Sequence, residues 1–356
     1  MINHIKMSQT EKDYKKVVKR GGLIYVHDFL PGIFRKKCGK GFAYYWPNGK
    51  LVKDTPTKKR IKNLRIPPAY DNVWVCTFEN GHIQAIGYDK KQRKQYQYHP
   101  KWREYRQEIN YQRMIDFGQT LGLIRRIVDK DIKSEGLSKK KVLAAIVRVL
   151  DMTLIRVGNE KYAKENGSYG LTTIQKNHVH VENKKSGVFN FEFFGKSHKY
   201  NNIKIRNKKL YQIIQNCMEL GGYELFQFLD HHEKIHDITS DDVNNYLEEI
   251  SGGQFSAKDF RTWWGTVFTL IALEKFGPGS SKKEVKQSVL KAIRFTSKKL
   301  HNTPSVCRKF YIYPGILESF EEGKLSEIIQ EFKNEKPNEE LSHEEWWTLQ
   351  FLKKKL

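Results

Sequence analysis

Cysteine is scarce in this chain of 356 residues: Cys38, Cys76, Cys217 and Cys307 are scattered, and no two stand at a CxxC spacing. That excludes a zinc cluster of paired thiolates and a disulfide framework, and free, mostly buried thiols are expected instead. Also lacking is any run of about 18 apolar residues, so no membrane span is expected. No charged-then-apolar leader is seen, and a soluble, cytoplasmic protein follows as the expectation. There is no internal repeat. His231, His232 and His236 could gather on one helical face, but no acidic or cysteine partner stands at ligand spacing. They are read as solvated helix residues, with no metal and no cofactor expected.

Acidic charge is in deficit, and what is present is its opposite. Lys and Arg number 64 against 40 Asp and Glu, a net charge of +24 with a pI near 9.6. Such an imbalance calls for a polyanionic partner, nucleic acid before all others. Against this background the segment from Glu318 to Glu345 is rich in Glu and unsuited to lie on phosphates, so the binding face belongs elsewhere.

The length allows two or three domains with a substantial core. From Gly22 to Tyr98 the pattern is of short strands and turns: Leu23 to Val26, Gly41 to Trp46, a turn at Pro47 to Lys50, and Val73 to Cys76. A hairpin signal at Asn80-Gly81 precedes a strand from His82 to Asp89. Near Pro100 the spacing becomes helical, with Tyr111, Met114, Ile115, Leu121, Ile124 and Ile127 on steps of three and four. The reading is therefore α+β: a β-rich domain over 1–100 and a mainly helical one over 101–356. Within the latter one β island is expected, with strands at His178–Glu182 and Val188–Phe193, and Ile203–Ile205 as a third. Ser281 with Glu284 and Ser342 with Glu345 fit capping boxes, and Gly252-Gly253 ends a helix begun near Ser240.

Four segments hold groups suited to a phosphodiester. Arg156 follows the apolar run Leu143 to Leu154, although an ion pair with Glu160 four residues on is the simpler account. Lys196 sits in a turn of the β island, where lysines are mostly just solvated. Arg261 lies between large apolar residues, with Asp259 as a competing structural partner. Tyr311 stands beside Arg308 and Lys309, cations of the kind a phenol with a reference pKa near 10 needs to become a nucleophile.

In chain order these segments resemble the type IB DNA topoisomerases of the bacterial and poxvirus-like group. The matching stretches are Arg60–Tyr70, Gly81–Ala85, Arg93–Tyr96, Arg156–Glu160 with Gly170–Thr173, Gly195-Lys196, Lys258–Thr262 and Asn302–Tyr311. The resemblance implies a topoisomerase/tyrosine-recombinase catalytic fold that relaxes duplex DNA through a 3′-phosphotyrosine link, without ATP or metal. It implies Tyr311 as nucleophile, Arg156 and Arg261 on the non-bridging oxygens, and Lys196 as general acid. Asn302, nine positions before Tyr311, takes the place of a histidine in poxvirus-like relatives. The β-rich domain would clamp the duplex through Arg60, Lys62, Arg65, Arg93 and Lys94, with Gln84 and Tyr96 at base edges or sugars and Lys258 as a further DNA contact. A monomer at the nucleoid with no obligate protein partner is expected. Tyr313, the rival nucleophile, precedes Pro314 and stands where the family commonly has histidine. A tyrosine recombinase is the nearest alternative, but its second arginine usually follows a histidine where this chain has Lys258. A silent DNA-binding protein would not need Arg156, Lys196, Arg261 and Tyr311 together.

Overall fold

Five short segments rich in β-branched and aromatic residues build the first of two units, Met1–Asn110, in a computed structural model that describes residues 18, 21–337 and 340–355. The start of the expected 1–100 domain lies outside the described residues. Strands β1 (Ile33–Cys38), β2 (Gly41–Tyr45), β3 (Asp71–Val75), β4 (Ile83–Tyr88) and β5 (Lys94–Tyr98) form one antiparallel sheet in the order β2-β1-β3-β4-β5. Helix α1 (Thr55–Asn63), capped by Asp54, contributes Ile61 to a core of Ile33, Val52, Val73, Val75 and Ala85. Burial of each of the valine and isoleucine side chains stabilises by roughly 1.5–3 kcal/mol.

Three details depart from the sequence reading. The segment from Leu23 to Val26 is not a strand; Ile24 makes a single bridge to Gly81. That bridge, with the Asn80 amide donating to Gly22 O at 3.0 Å, also removes Asn80-Gly81 from a tight hairpin and places them in a longer connection. β1 and β5 were not expected as strands. Their sequences, IFRKKC and KQYQY, are too polar to show the alternation that a half-buried strand needs.

The second unit, Tyr111–Leu356, is mostly helical. Its helices are the continuation of α2 (Pro100–Ile132), then α3 (Lys139–Thr153), α4 (Glu160–Asn166), α5 (Lys208–Glu219), α6 (Ser240–Ser251), α7 (Ala257–Phe276), α8 (Lys282–Lys299), α9 (Pro304–Phe310), α10 (Pro314–Glu321), α11 (Leu325–Phe332) and α12 (His343–Lys355). The β island is a sheet of β6 (Val179–Asn183), β7 (Val188–Gly195) and β8 (Lys199–Arg206) in that order. α7 is the axis of the core: Phe260, Trp263, Val267, Leu270 and Leu273 are fully buried. Both expected capping boxes form, and α6 ends at Gly252 in the left-handed region. Glu345 of the second box is 2% exposed and also accepts from Arg125 and from the Trp263 indole at 3.1 Å. A helix start is thereby tied to the core.

The histidine segment is a hairpin, with β9 (Gln227–Leu229) pairing β10 (Ile235–Asp237), and not a helix. His236 meets Asp230 at 2.8 Å, an acidic partner the sequence reading had not credited. Among the described residues no group of three or more His, Cys, Asp or Glu could hold a metal ion, and no helix is long and apolar enough to cross a membrane.

Candidate active site

Arg156 is placed by the way α3 ends. Leu154 adopts the left-handed conformation (φ 57°) and donates to Leu150 O, which turns the chain out of the helix into an extended segment. That segment is clamped where Leu171 N donates to Arg156 O (2.9 Å) and Thr172 N to Val157 O (2.7 Å). The close approach depends on glycine: a Cβ on Gly170 would lie 2.5 Å from Gly158 Cα. Asn159 then caps α4, whose first residue is Glu160. Because Arg156 is extended and not helical, the expected pair with Glu160 does not form; Glu160 pairs with Lys164 at 3.8 Å. Arg156 donates to the Asn302 side-chain oxygen instead.

Arg261 projects from α7 and is 3% exposed. Its two terminal nitrogens donate to Leu154 O and, at 2.7 Å, to Leu300 O, while its Nε is buried without a partner. Asp259 is not its mate, since residues two apart on a helix face opposite ways. Asp259 holds Arg113 at 2.7 and 2.8 Å and closes the α7 capping box. The Asn302 amide nitrogen is likewise buried and unpartnered. The groups beside these donors are neutral, the Tyr311 phenol at Arg261 and the Cys307 thiol at Asn302, so an anionic acceptor would satisfy both better than the protein does.

Tyr311 ends α9, which Thr303 caps and Pro304 opens. Its backbone lies against α7: a Cβ on Gly265 would come within 2.4 Å of Tyr311 O. The Arg261 guanidinium stands 5.3 Å from the centre of its ring. Burial pushes the phenol pKa up, but the charge of Arg261, a hydrogen bond with its side chain, and the charges of Arg156 and Lys258 outweigh it, and the net direction is down. Arg308 and Lys309, the neighbours in sequence, are exposed on α9 and are not the cations that act on the phenol. Tyr313 is 7% exposed and packs edge-on against Tyr111 at 4.5 Å, and burial raises its pKa.

Lys196 is exposed at the β7–β8 turn, which is closed by left-handed Ser197 and His198. It lines one crevice together with Arg156, Arg261, Gly195, Asn201 and His301. The tertiary structure thus gathers residues from α3–α4, the β island, α7 and the α8–α9 connection. His301 was missed in the sequence, where its only signal is its place next to Asn302. Arg156 is held below its ordinary pKa by burial and then by the charge of Arg261, so the crevice is electropositive and suited to an anion.

Residues 99–338 match the family described as eukaryotic DNA topoisomerase I, catalytic core, and residues 41–89 the bacterial DNA topoisomerase IB N-terminal domain. The chain belongs to the type IB DNA topoisomerases. Similar proteins include the DNA topoisomerase 1B of Acanthamoeba polyphaga mimivirus, 33% identical over 86% of this chain and 92% of the relative. The DNA topoisomerase 1B of vaccinia virus (strain Copenhagen) is 24% identical over 81% of this chain and 92% of its own. The DNA topoisomerase 1 of Mycosarcoma maydis is 26% identical over 63% of this chain and 24% of its own. As a type IB topoisomerase the protein is an isomerase whose substrate is DNA.

In the N-terminal unit of this topoisomerase, two of the expected DNA contacts are turned inward. Gln84 is 3% exposed; its amide donates to Glu79 O and Gly81 O at 2.8 Å, and its oxygen accepts from Arg60 at 2.9 Å. Arg60 also donates to Cys76 O at 2.6 Å. Residues Gln84 to Gly87 of β4 are all buried, so Gln84 is not presented to solvent. Lys62, Arg65, Arg93 and Tyr96 are exposed, with Arg93 bound to Asp89 at 2.7 Å, and Lys94 is half-buried against Asp28.

Proposed function

We propose that the crevice between α7, the β7–β8 turn and the α8–α9 connection holds the scissile phosphodiester of duplex DNA. The observation that carries this reading is a pair of buried donors, Arg261 Nε and Asn302 Nδ2, with no carbonyl or carboxylate as acceptor, beside a phenol whose pKa is drawn down by cations. In it Tyr311 gives up its phenolic proton to solvent and its Oη attacks phosphorus, the P–O5′ bond breaks, and Lys196 delivers a proton to the departing 5′ oxygen. Arg156, Arg261 and Asn302 donate to the non-bridging oxygens as charge builds in the transition state. The phosphotyrosine ester keeps the free energy of the broken bond, so resealing needs no ATP, and supercoils relax while the strand is open. The enzyme acts as a monomer.

Asn302→Ala removes a neutral donor and leaves Arg156 without its acceptor. Single-turnover cleavage should slow by about one to three decades, or about 1–4 kcal/mol in the transition state. A rate within about twofold of the parent would leave Asn302 only the shaping of the loop before Tyr311.

The strand-rich unit acts in the same reading as a clamp that adds phosphate contacts through Lys62, Arg65, Arg93 and Lys94. The net charge of +24 supports it. Each phosphate contact contributes about 0.9 to the slope of log affinity against log salt, so Arg93→Ala or Lys94→Ala should flatten that slope by at most about one unit. No change on replacing any of the four would remove the clamp from the account.

A further inference from the structure

We propose that His301 is a further group on the scissile phosphodiester, an imidazole that donates to it beside Lys196 and takes up a proton as the DNA seats. The inference rests on the placement of the phosphodiester argued above and adds to it a residue and an ionisation. His301 follows the end of α8, at φ 50°, in the left-handed region where glycine is the ordinary choice after a helix. A β-carbon is strained there, and such strain is retained mainly where a side chain has a task.

The position of the residue is fixed on both sides by the two arginines. The carbonyl of Leu300, just before it, accepts from Arg261 at 2.7 Å, and the side chain of Asn302, just after it, accepts from Arg156. Its own N–H donates to Lys298 O at 3.2 Å. The side chain lines the same crevice as Arg156, Lys196 and Arg261, and among the described residues no hydrogen bond holds its ring.

The charges around it set the direction of its response. From α7 it faces Arg261, from the α3–α4 segment Arg156, and from the β island Lys196 and Lys199; Cys307 and Tyr311 of α9 face the same guanidiniums. Burial first, then Arg261, Arg156 and Lys199, hold the imidazole below its usual 6.5, so it is neutral in the free protein near pH 7. The Cys307 thiol is pushed up to about 11 and stays protonated. A phosphodiester in the crevice brings the one negative charge that the site lacks and shifts His301 back toward its cationic form. Affinity should then rise as pH falls, because the bound state holds the additional proton.

The test uses full-length protein with Tyr311→Phe, which binds without cleaving, compared with the same protein also bearing His301→Asn. Asparagine tolerates the left-handed conformation and donates without titrating. Between about pH 5.5 and 8 at constant ionic strength, duplex affinity of the first should strengthen by up to about tenfold per pH unit fall, and that of the second should be flatter. With Tyr311 present, His301→Asn and His301→Gly should cleave about tenfold slower near pH 6, the gap closing toward pH 8. The glycine variant should melt no lower than the parent, separating loss of the imidazole from loss of fold. Equal pH slopes in the binding pair, cleavage within about twofold at every pH, or the same deficit at every pH would each overturn the proposal. Misplacement of the nucleophile would show separately, as covalent adducts formed by the Tyr311→Phe protein.

Discussion

Tyr311→Phe is expected to form no covalent DNA adduct on denaturant trapping and to relax no plasmid, while binding duplex DNA nearly as the parent does. Only one oxygen is removed, from a ring that packs beside Arg261 and whose backbone is held against Gly265, so the fold has no reason to change. The parent should relax the same plasmid in EDTA without ATP. Tyr313→Phe is the matched control, because that ring is a core side chain in edge-on contact with Tyr111, away from the guanidiniums. It should keep its adduct. Adducts surviving in Tyr311→Phe and vanishing in Tyr313→Phe would reverse the assignment.

Lys196→Ala should slow cleavage of an ordinary strand by about two to four decades, the range for loss of a positioned general acid. A 5′-thiolate leaves without protonation, so a substrate with sulfur at the bridging 5′ position should recover most of that rate. The turn supports the experiment, since Lys196 is exposed and alanine disturbs no packing. An equal deficit on both substrates would reduce Lys196 to a phosphate contact.

Much of this site was legible in order and illegible in geometry. The residues Arg156, Lys196, Arg261, Asn302 and Tyr311 stand out as a series along the chain, yet each local reading of a partner was wrong where folding intervened. Glu160 was expected for Arg156, Asp259 for Arg261, and Arg308 with Lys309 for Tyr311; the structure supplies Asn302, two backbone carbonyls, and Arg261 with Arg156 and Lys258 in their stead. Sequence neighbours suggest pairs only where the backbone is regular and the spacing places both groups on one face. Arg156 is in an extended segment, and Asp259 and Arg261 point to opposite sides of α7. The burial of Gln84 has a related cause: β4 lies between β3 and β5 and is buried on both faces from Gln84 to Gly87, which the residues of a short strand do not reveal by themselves.

By itself the sequence pointed to a polyanionic partner, through a net charge of +24. It also determined the helix limits set by caps and glycines, and the succession of strand-rich and helical parts, because these depend on composition and on interactions within a few residues. The tertiary structure alone decided which donors are buried without an anionic acceptor, which tyrosine meets guanidinium groups and which enters the core, and that His301 shares the crevice with Lys196. Those properties arise from segments far apart in the chain that pack together, and the desolvation that gives them their chemistry exists only once they have done so.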